Sequence, residues 1–231
     1  MPTTSLPAST LQFLRELRDN NNREWFNANK KRYQAEQQHM IAFAEALLDR
    51  MGQHDNLAPM TAKQSLFRIY RDVRFSKDKS PYKAHFSGQM KRATKWLRGG
   101  YYFHIEPDGG SFVGGGFWEP NSADLKRIRQ EIASDAEPLR QIIAAPEFRE
   151  TFGELKGEQL KTAPQGYSQD HPNIDLLRYK QFLLSRSFTD KEVTAPDLLD
   201  KMVESFIRMR PFFNFMSEVL TTDENGVPVE G

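Results

Sequence analysis

The chain has 231 residues, of which 38% are apolar and 12% aromatic, so it has enough apolar material for a substantial core and is not a disordered protein. It contains no Cys, which excludes disulfides, thiol nucleophiles and thiolate metal ligands. The start lacks the features of a secretory signal, and no apolar run approaches the roughly 18 residues of a membrane span. We therefore expect a cytoplasmic protein without a membrane partner.

The net charge of +1 conceals a strongly basic segment. Residues 61–100 contain eleven Lys and Arg against two Asp, so this segment carries +9 and the remainder of the chain −8. Such asymmetry is typical of a surface that meets phosphates, nucleic acid or an acidic partner.

Two helices are predicted near the N-terminus. Ser9–Gln12 has the pattern of a capping box and begins the first, which should end at Asp19–Asn22, because short polar side chains favour turns and caps. Apolar and aromatic residues at helical spacing predict a second helix from Arg23 to Met51, capped by Asn22 and stopped by Gly52. We interpret Asn20–Asn22 as a helix break and cap rather than as a functional site.

The basic segment shows a strand pattern. In residues 67–75 apolar and polar side chains alternate, as in a half-buried strand. Arg71 breaks the alternation by falling on the apolar face, so a bulge, an inward-pointing arginine and a helix are open alternatives. His85–Met90 alternates in the same way and predicts another strand.

A β-hairpin is predicted next. The strand-like runs Tyr101–Glu106 and Ser111–Val113 are joined by Pro107–Gly110, whose residues tolerate positive φ. Gly114–Gly116 then predicts a bulge, a close backbone approach or room for a ligand. It does not form a nucleotide-binding loop, since neither GxGxxG spacing nor a Lys-Ser/Thr pair accompanies it.

Helices are expected again after the hairpin. Asn121 or Ser122 caps the first, and a second, short one ends before Pro146. Residues 153–172 should be an irregular connection, and Arg178–Phe188 a strand or an extended arm.

The C-terminal elements complete the predicted fold. Thr189–Glu192 forms a capping box, and a last helix runs from about Pro196 to Leu220. We therefore predict one α+β domain over residues 9–220, in which an antiparallel sheet of the basic strand and the hairpin packs against N-terminal and C-terminal helices. Residues 1–8 and 221–231 are predicted to be flexible.

Three motifs stand out along the chain: Asn20–Phe26 with Asn29 and Lys30, Phe67–Lys83, and Gly114–Gly116. Together they resemble a family of bacterial and fungal proteins known only as a domain of unknown function. The resemblance covers roughly Leu11 to Leu220 and implies a single domain. It implies no activity, cofactor or catalytic residue.

The main candidate site is a set of cationic and aromatic side chains in the basic segment. Its members are Arg68, Arg71, Arg74, Lys77, Lys79, Tyr82 and Lys83. Arginine can hold phosphate or carboxylate in bidentate fashion, lysine adds point charges, and aromatic rings stack on bases or other rings. We expect an anionic small molecule as ligand, with nucleic acid as the alternative partner and a protein-interaction or scaffold role as the third. The opposing interpretation is a solvated surface with structural salt bridges.

A second set of candidates consists of His85, His104 and Glu106. If their strands pair, His104 and Glu106 share a face that His85 can approach, which would suit a general base or a His/His/carboxylate metal site. No HxH or HExxH spacing is present, so the sequence assigns no metal. The cofactor, the oligomeric state and the question of whether the protein is an enzyme stay open.

Overall fold

The structure is a computed structural model that describes residues 5–222 and 227–228. In this part of the chain, ten helices and four strands form an α+β fold, which confirms the predicted class. The strands are β1 Phe86–Lys91, β2 Gly100–Ile105, β3 Ser111–Phe117 and β4 Phe182–Phe188. They make one antiparallel sheet in the order β1-β2-β3-β4. The predicted flexible termini fall largely on residues 1–4, 223–226 and 229–231, which lie outside the described residues.

The helices fall into three groups along the chain. Those before the sheet are α1 Ala8–Asp19, α2 Arg23–Ala28, α3 Lys30–Gly52 and α4 Ala62–Ser65. Those between β3 and β4 are α5 Ser122–Ser134, α6 Glu137–Ala144, α7 Pro146–Phe152 and α8 Ile174–Leu177. The last two are α9 Asp190–Thr194 and α10 Leu198–Thr221. Within the described residues, none of these helices is long and apolar enough to cross a membrane.

The described residues divide into two compact units. The first comprises the chain up to Met90, Tyr102–Val113 and Ser187–Glu204, and the second comprises Lys91–Tyr101, Gly114–Arg186 and the described residues from Ser205 onward. The prediction of a single domain over residues 9–220 stays a prediction.

The first unit is built around α3, which α1, α2 and α4 contact. Leu14 and Leu17 of α1 and Phe43 and Leu47 of α3 are completely buried, as their helical spacing predicted. Burial of such a stripe stabilises an amphipathic helix more than its intrinsic propensity does.

A side-chain hydrogen bond sets the start of α2 but not that of α1. Asn22 caps α2 as predicted, since its Oδ1 accepts from the Trp25 N–H at 2.9 Å. The predicted cap at Ser9 is wrong, because α1 begins at Ala8 without a side-chain cap. The predicted helix over residues 23–51 is interrupted at Asn29, whose Nδ2 and backbone N–H both donate to the Trp25 carbonyl.

In the second unit, Tyr101 of β2 packs on α10, and a glycine allows β3 and β4 to approach closely. The Tyr101 ring lies 5.1 Å from that of Phe206 and 5.3 Å from that of Phe213. Gly116 has φ +129°, and a β-carbon there would lie 2.1 Å from the Phe182 carbonyl oxygen. Of the three alternatives for the glycine run, the structure therefore shows a close backbone approach. Asn121 caps α5, one of the two predicted caps.

The strand predicted over residues 67–75 is not formed. Instead, residues 66–88 make an irregular antiparallel hairpin with two isolated bridges, Leu66 to Gly88 and Tyr70 to Tyr82. Three residues separate the bridges on one limb and five on the other, so no regular ladder can run between them. We call residues 66–85 the basic arm. The sheet starts instead with β1, which matches the strand predicted over His85–Met90.

Candidate functional site

The basic arm is held by Asn21, just before α2, and by Phe26 of α2. Asn21 Nδ2 donates to the Tyr82 carbonyl at 2.9 Å, and the Tyr82 N–H donates to Asn21 Oδ1 at 3.0 Å. The Tyr82 ring stacks on Phe26 at a centroid distance of 3.9 Å, and only 5% of Tyr82 is exposed. Tyr82, a predicted ligand-binding residue, therefore anchors the arm.

Two of the three arginines that were predicted to bind an anion pair with carboxylates of the arm itself. Arg71 forms an ion pair with Asp78 and also donates to the Ser80 carbonyl at 3.3 Å. Arg74 binds Asp72 through two nitrogens, with Nη2 2.7 Å from Oδ2 and Nε 3.0 Å from Oδ1. The arginines thus close the tip of the arm and do not converge on one point.

The tip also uses a lysine and a serine. Lys79 Nζ donates to the Val73 carbonyl at 2.9 Å. The hydroxyl and N–H of Ser80 donate to Asp78, and these bonds, followed by that from Arg71, hold the pKa of Asp78 far below its usual range. Asp78 therefore stays ionised and keeps Arg71 in place.

Arg68 and Lys83 are placed differently. In the described part of the chain, no hydrogen bond or ion pair joins either of them to a carboxylate. Partial burial, and then the nearby charge of Arg68, lower the pKa of Lys83. The Lys83 ammonium lies 5.4 Å from the centroid of the Phe67 ring. The exposed Lys77, the remaining predicted residue, has no carboxylate partner among the described residues either.

Strand pairing brings the second set of candidates together. The His85 and His104 rings lie 4.1 Å apart between centroids, and His104 Nε2 is 2.8 Å from Glu106 Oε2. Tyr102, His104 and Glu106 share one side of β2 and its end because side chains alternate along a strand. Phe112 of β3 stacks on His104 at 4.9 Å. We call His85, Tyr102, His104, Glu106 and Phe112 the histidine face.

Burial and charge set the protonation of this face. Burial, followed by the charges of His104, Lys83 and Arg71, lowers the pKa of His85 to about 4. At neutral pH the His85 ring is therefore uncharged and keeps a nitrogen lone pair that can accept a hydrogen bond or bind a metal ion. Because Lys83 and Arg71 act on it, His85 joins the histidine face to the basic arm.

A cavity of ≈ 680 Å³ opens in the second unit. Its lining includes Arg149, Lys156, Asp175 and Tyr179. None of the predicted site residues lines it.

The comparisons with known proteins identify a family. The model of the conserved hypothetical protein family DUF2461 matches residues 9–215, which is most of the chain. The chain belongs to this family. Membership in DUF2461 confirms the resemblance to a domain of unknown function and adds no activity. Neither a curated protein nor a solved structure gives a significant match.

In this DUF2461 member the first and third motifs have structural roles. The first supplies Asn21 and Phe26, which hold the arm, and the third supplies Gly116 for close strand packing. Sequence reasoning also missed Tyr102, whose hydroxyl lies 3.0 Å from His104 Nδ1. Its position two residues before His104, on the same side of the strand, was an available signal.

Proposed function

We propose that the protein binds an anionic small molecule, bearing phosphate or carboxylate, where the basic arm meets the histidine face. The observation that carries this proposal is that the charge of Arg68 lowers the pKa of Lys83, while neither side chain forms an ion pair with a carboxylate among the described residues. Arg68 also lowers the pKa of Asp72, but that carboxylate is bound by Arg74. Like charges held together destabilise one another, and an anion between them would remove that repulsion.

The surroundings of this cation pair suit a ligand that also carries a ring. Phe67 is 41% exposed beneath Lys83, and its ring centroid lies 6.4 Å from that of Tyr102. The uncharged His85 is close by and can accept a hydrogen bond from a bound hydroxyl or water. A phosphorylated compound with a planar ring fits this chemistry better than a purely aliphatic acid.

Titration with pyrophosphate and adenosine monophosphate tests the proposal. Each charge-assisted hydrogen bond contributes about 1.5–3 kcal/mol, so Arg68→Gln or Lys83→Gln should weaken binding roughly 10- to 150-fold by isothermal calorimetry. Lys77→Gln is the matched control, because it removes a charge from the same arm and should leave the affinity unchanged. Equal losses in all three variants, or no binding by the unaltered protein, would reject the site.

Nucleic acid is the second candidate ligand. Phe75 is 96% exposed, and the Arg74 guanidinium lies 5.9 Å from its ring centroid, an arrangement that can stack on a base. A single-stranded oligonucleotide in the same titration would then bind in a steeply salt-dependent way, and Lys77→Gln would weaken it as much as Arg68→Gln. Because the cysteine-free composition suits a reducing compartment, we propose that either ligand is met in the cytoplasm.

A further inference from the structure

The two histidines and the carboxylate of the histidine face have the composition and spacing of a metal site. His85, His104 and Glu106 each offer one ligand atom, and these atoms all lie within 4.8 Å of one another. We propose that these three residues bind a divalent cation of the zinc class. Imidazole nitrogen and carboxylate oxygen are the donor set that zinc shares with its neighbours in the first transition row.

The distances in the cluster fit this ion after a small movement. Ligand atoms at about 2.0 Å from a tetrahedral zinc stand roughly 3.3 Å from each other. His104 Nε2 and Glu106 Oε2 are 2.8 Å apart, as a hydrogen-bonded pair. To admit the ion, this pair must open by about half an ångström, and ligand atoms that stand as far as 4.8 Å apart must close by up to about 1.5 Å. The Glu106 side chain is 36% exposed and follows the end of β2, so it has the freedom to make this adjustment.

The neighbours of His104 hold its ring in the orientation that a ligand requires. The Tyr102 hydroxyl lies 3.0 Å from His104 Nδ1, and Phe112 stacks on the ring at an interplanar angle of 17°. With Nε2 on the metal, the Nδ1–H donates to the Tyr102 oxygen, the kind of outer contact that fixes the tautomer of a metal-bound histidine. His104 is only 8% exposed, so packing prevents other orientations.

Three protein ligands leave one position of a tetrahedral ion for water or for an oxygen of a bound anion. Sites of that kind are typical of zinc enzymes that activate water, whereas structural zinc sites have four protein ligands. The metal ligands differ from Arg68 and Lys83, so the metal site does not rest on the proposed anion binding. If both hold, the anion bound near Lys83 lies beside the open position.

Metal titration of the full chain tests the site. After removal of metal with a chelator, we expect one Zn²⁺ per chain by calorimetry, and a tetrahedral absorption spectrum with Co²⁺. His85→Gln and Glu106→Gln should each weaken Zn²⁺ binding by about 100-fold or more, and Tyr102→Phe by roughly tenfold, as loss of an outer partner does. Urea denaturation of each variant establishes that it is folded.

A second histidine–glutamate pair provides the control. His39 Nδ1 lies 3.1 Å from Glu36 Oε2 on α3, outside the histidine face, so His39→Gln should leave Zn²⁺ affinity unchanged. The proposal is overturned if the unaltered protein binds no Zn²⁺, or if folded His85→Gln and Glu106→Gln proteins bind it normally. Arg68→Gln should bind Zn²⁺ normally, so failure of the anion site and failure of the metal site give different results.

Discussion

The bridge between Asn21 and Tyr82 allows a quantitative test of how the basic arm is held. Asn21→Ala removes two hydrogen bonds, of 2.9 and 3.0 Å, and leaves the N–H and carbonyl of the buried Tyr82 without these partners. A hydrogen bond of this kind contributes about 0.5–1.5 kcal/mol to stability. We therefore expect the free energy of unfolding to fall by about 1–3 kcal/mol, for two bonds of this kind.

Urea denaturation measures this loss, and hydrogen–deuterium exchange shows where it acts. Exchange at the amides around Tyr82 should accelerate roughly 5- to 150-fold if the arm opens locally, since 1.4 kcal/mol corresponds to a factor of ten. Asn22→Ala is the control, because it removes the cap of α2 at a cost of about 1 kcal/mol without touching the arm. Unchanged exchange around Tyr82 in a folded Asn21→Ala protein would refute the anchoring role.

Two further substitutions test packing and charge. Gly88→Ala should lower the free energy of unfolding, measured by urea denaturation, by about 1–3 kcal/mol, because a β-carbon at Gly88 would lie 2.5 Å from the Phe103 ring. Gly52→Ala is the control and should not destabilise the protein, because nothing lies within 4 Å of a β-carbon there. The hydrogen bonds from Arg140 lower the pKa of Asp175, so this pair stabilises the fold at neutral pH and loses its effect as the pH falls below about 4. Arg140→Gln should therefore reduce the loss of thermal stability below pH 4. A melting temperature that falls below pH 4 as steeply in Arg140→Gln as in the unaltered protein would contradict this.

Local signals in the sequence predicted most of the regular elements. The hairpin follows from its turn, in which Asp108 and Gly109 have φ of 62° and 78°, and α9 follows from the capping box of Thr189 and Glu192. The break at Asn29 was missed because an Asn inside a helical pattern usually faces solvent, and only the structure shows its bond to Trp25.

The irregular pairing of the basic arm could not be predicted, for a different reason. Its alternating pattern over residues 67–75 is genuine, but the pairing of its limbs is offset between the Leu66 and Tyr70 bridges. Contacts with Asn21, far away in sequence, hold one limb in this position. Local alternation cannot reveal a register that long-range contacts impose.

The candidate site was predicted in part. The proximity of His85, His104 and Glu106 followed from the period of two along paired strands. The ion pairs of the arginines could not be predicted in this way, because Arg71 meets Asp78 only when the turn between them closes. Arg71 breaks the apolar pattern because it is half-buried against this turn, which is a structural reason for an arginine at that position.

The cationic side chains of the basic arm thus have two different roles. Some stabilise the arm itself, and others belong to the proposed binding sites. Arg71 and Arg74 are bound by the arm's own carboxylates and make its tip compact, whereas Lys83 and His85 lie within three residues of the anchored Tyr82. Any loosening of that anchor moves both residues at once. Asn21, which touches neither the proposed anion nor the proposed metal, should therefore affect both, and the two affinities should fall together in Asn21→Ala while Arg68→Gln separates them.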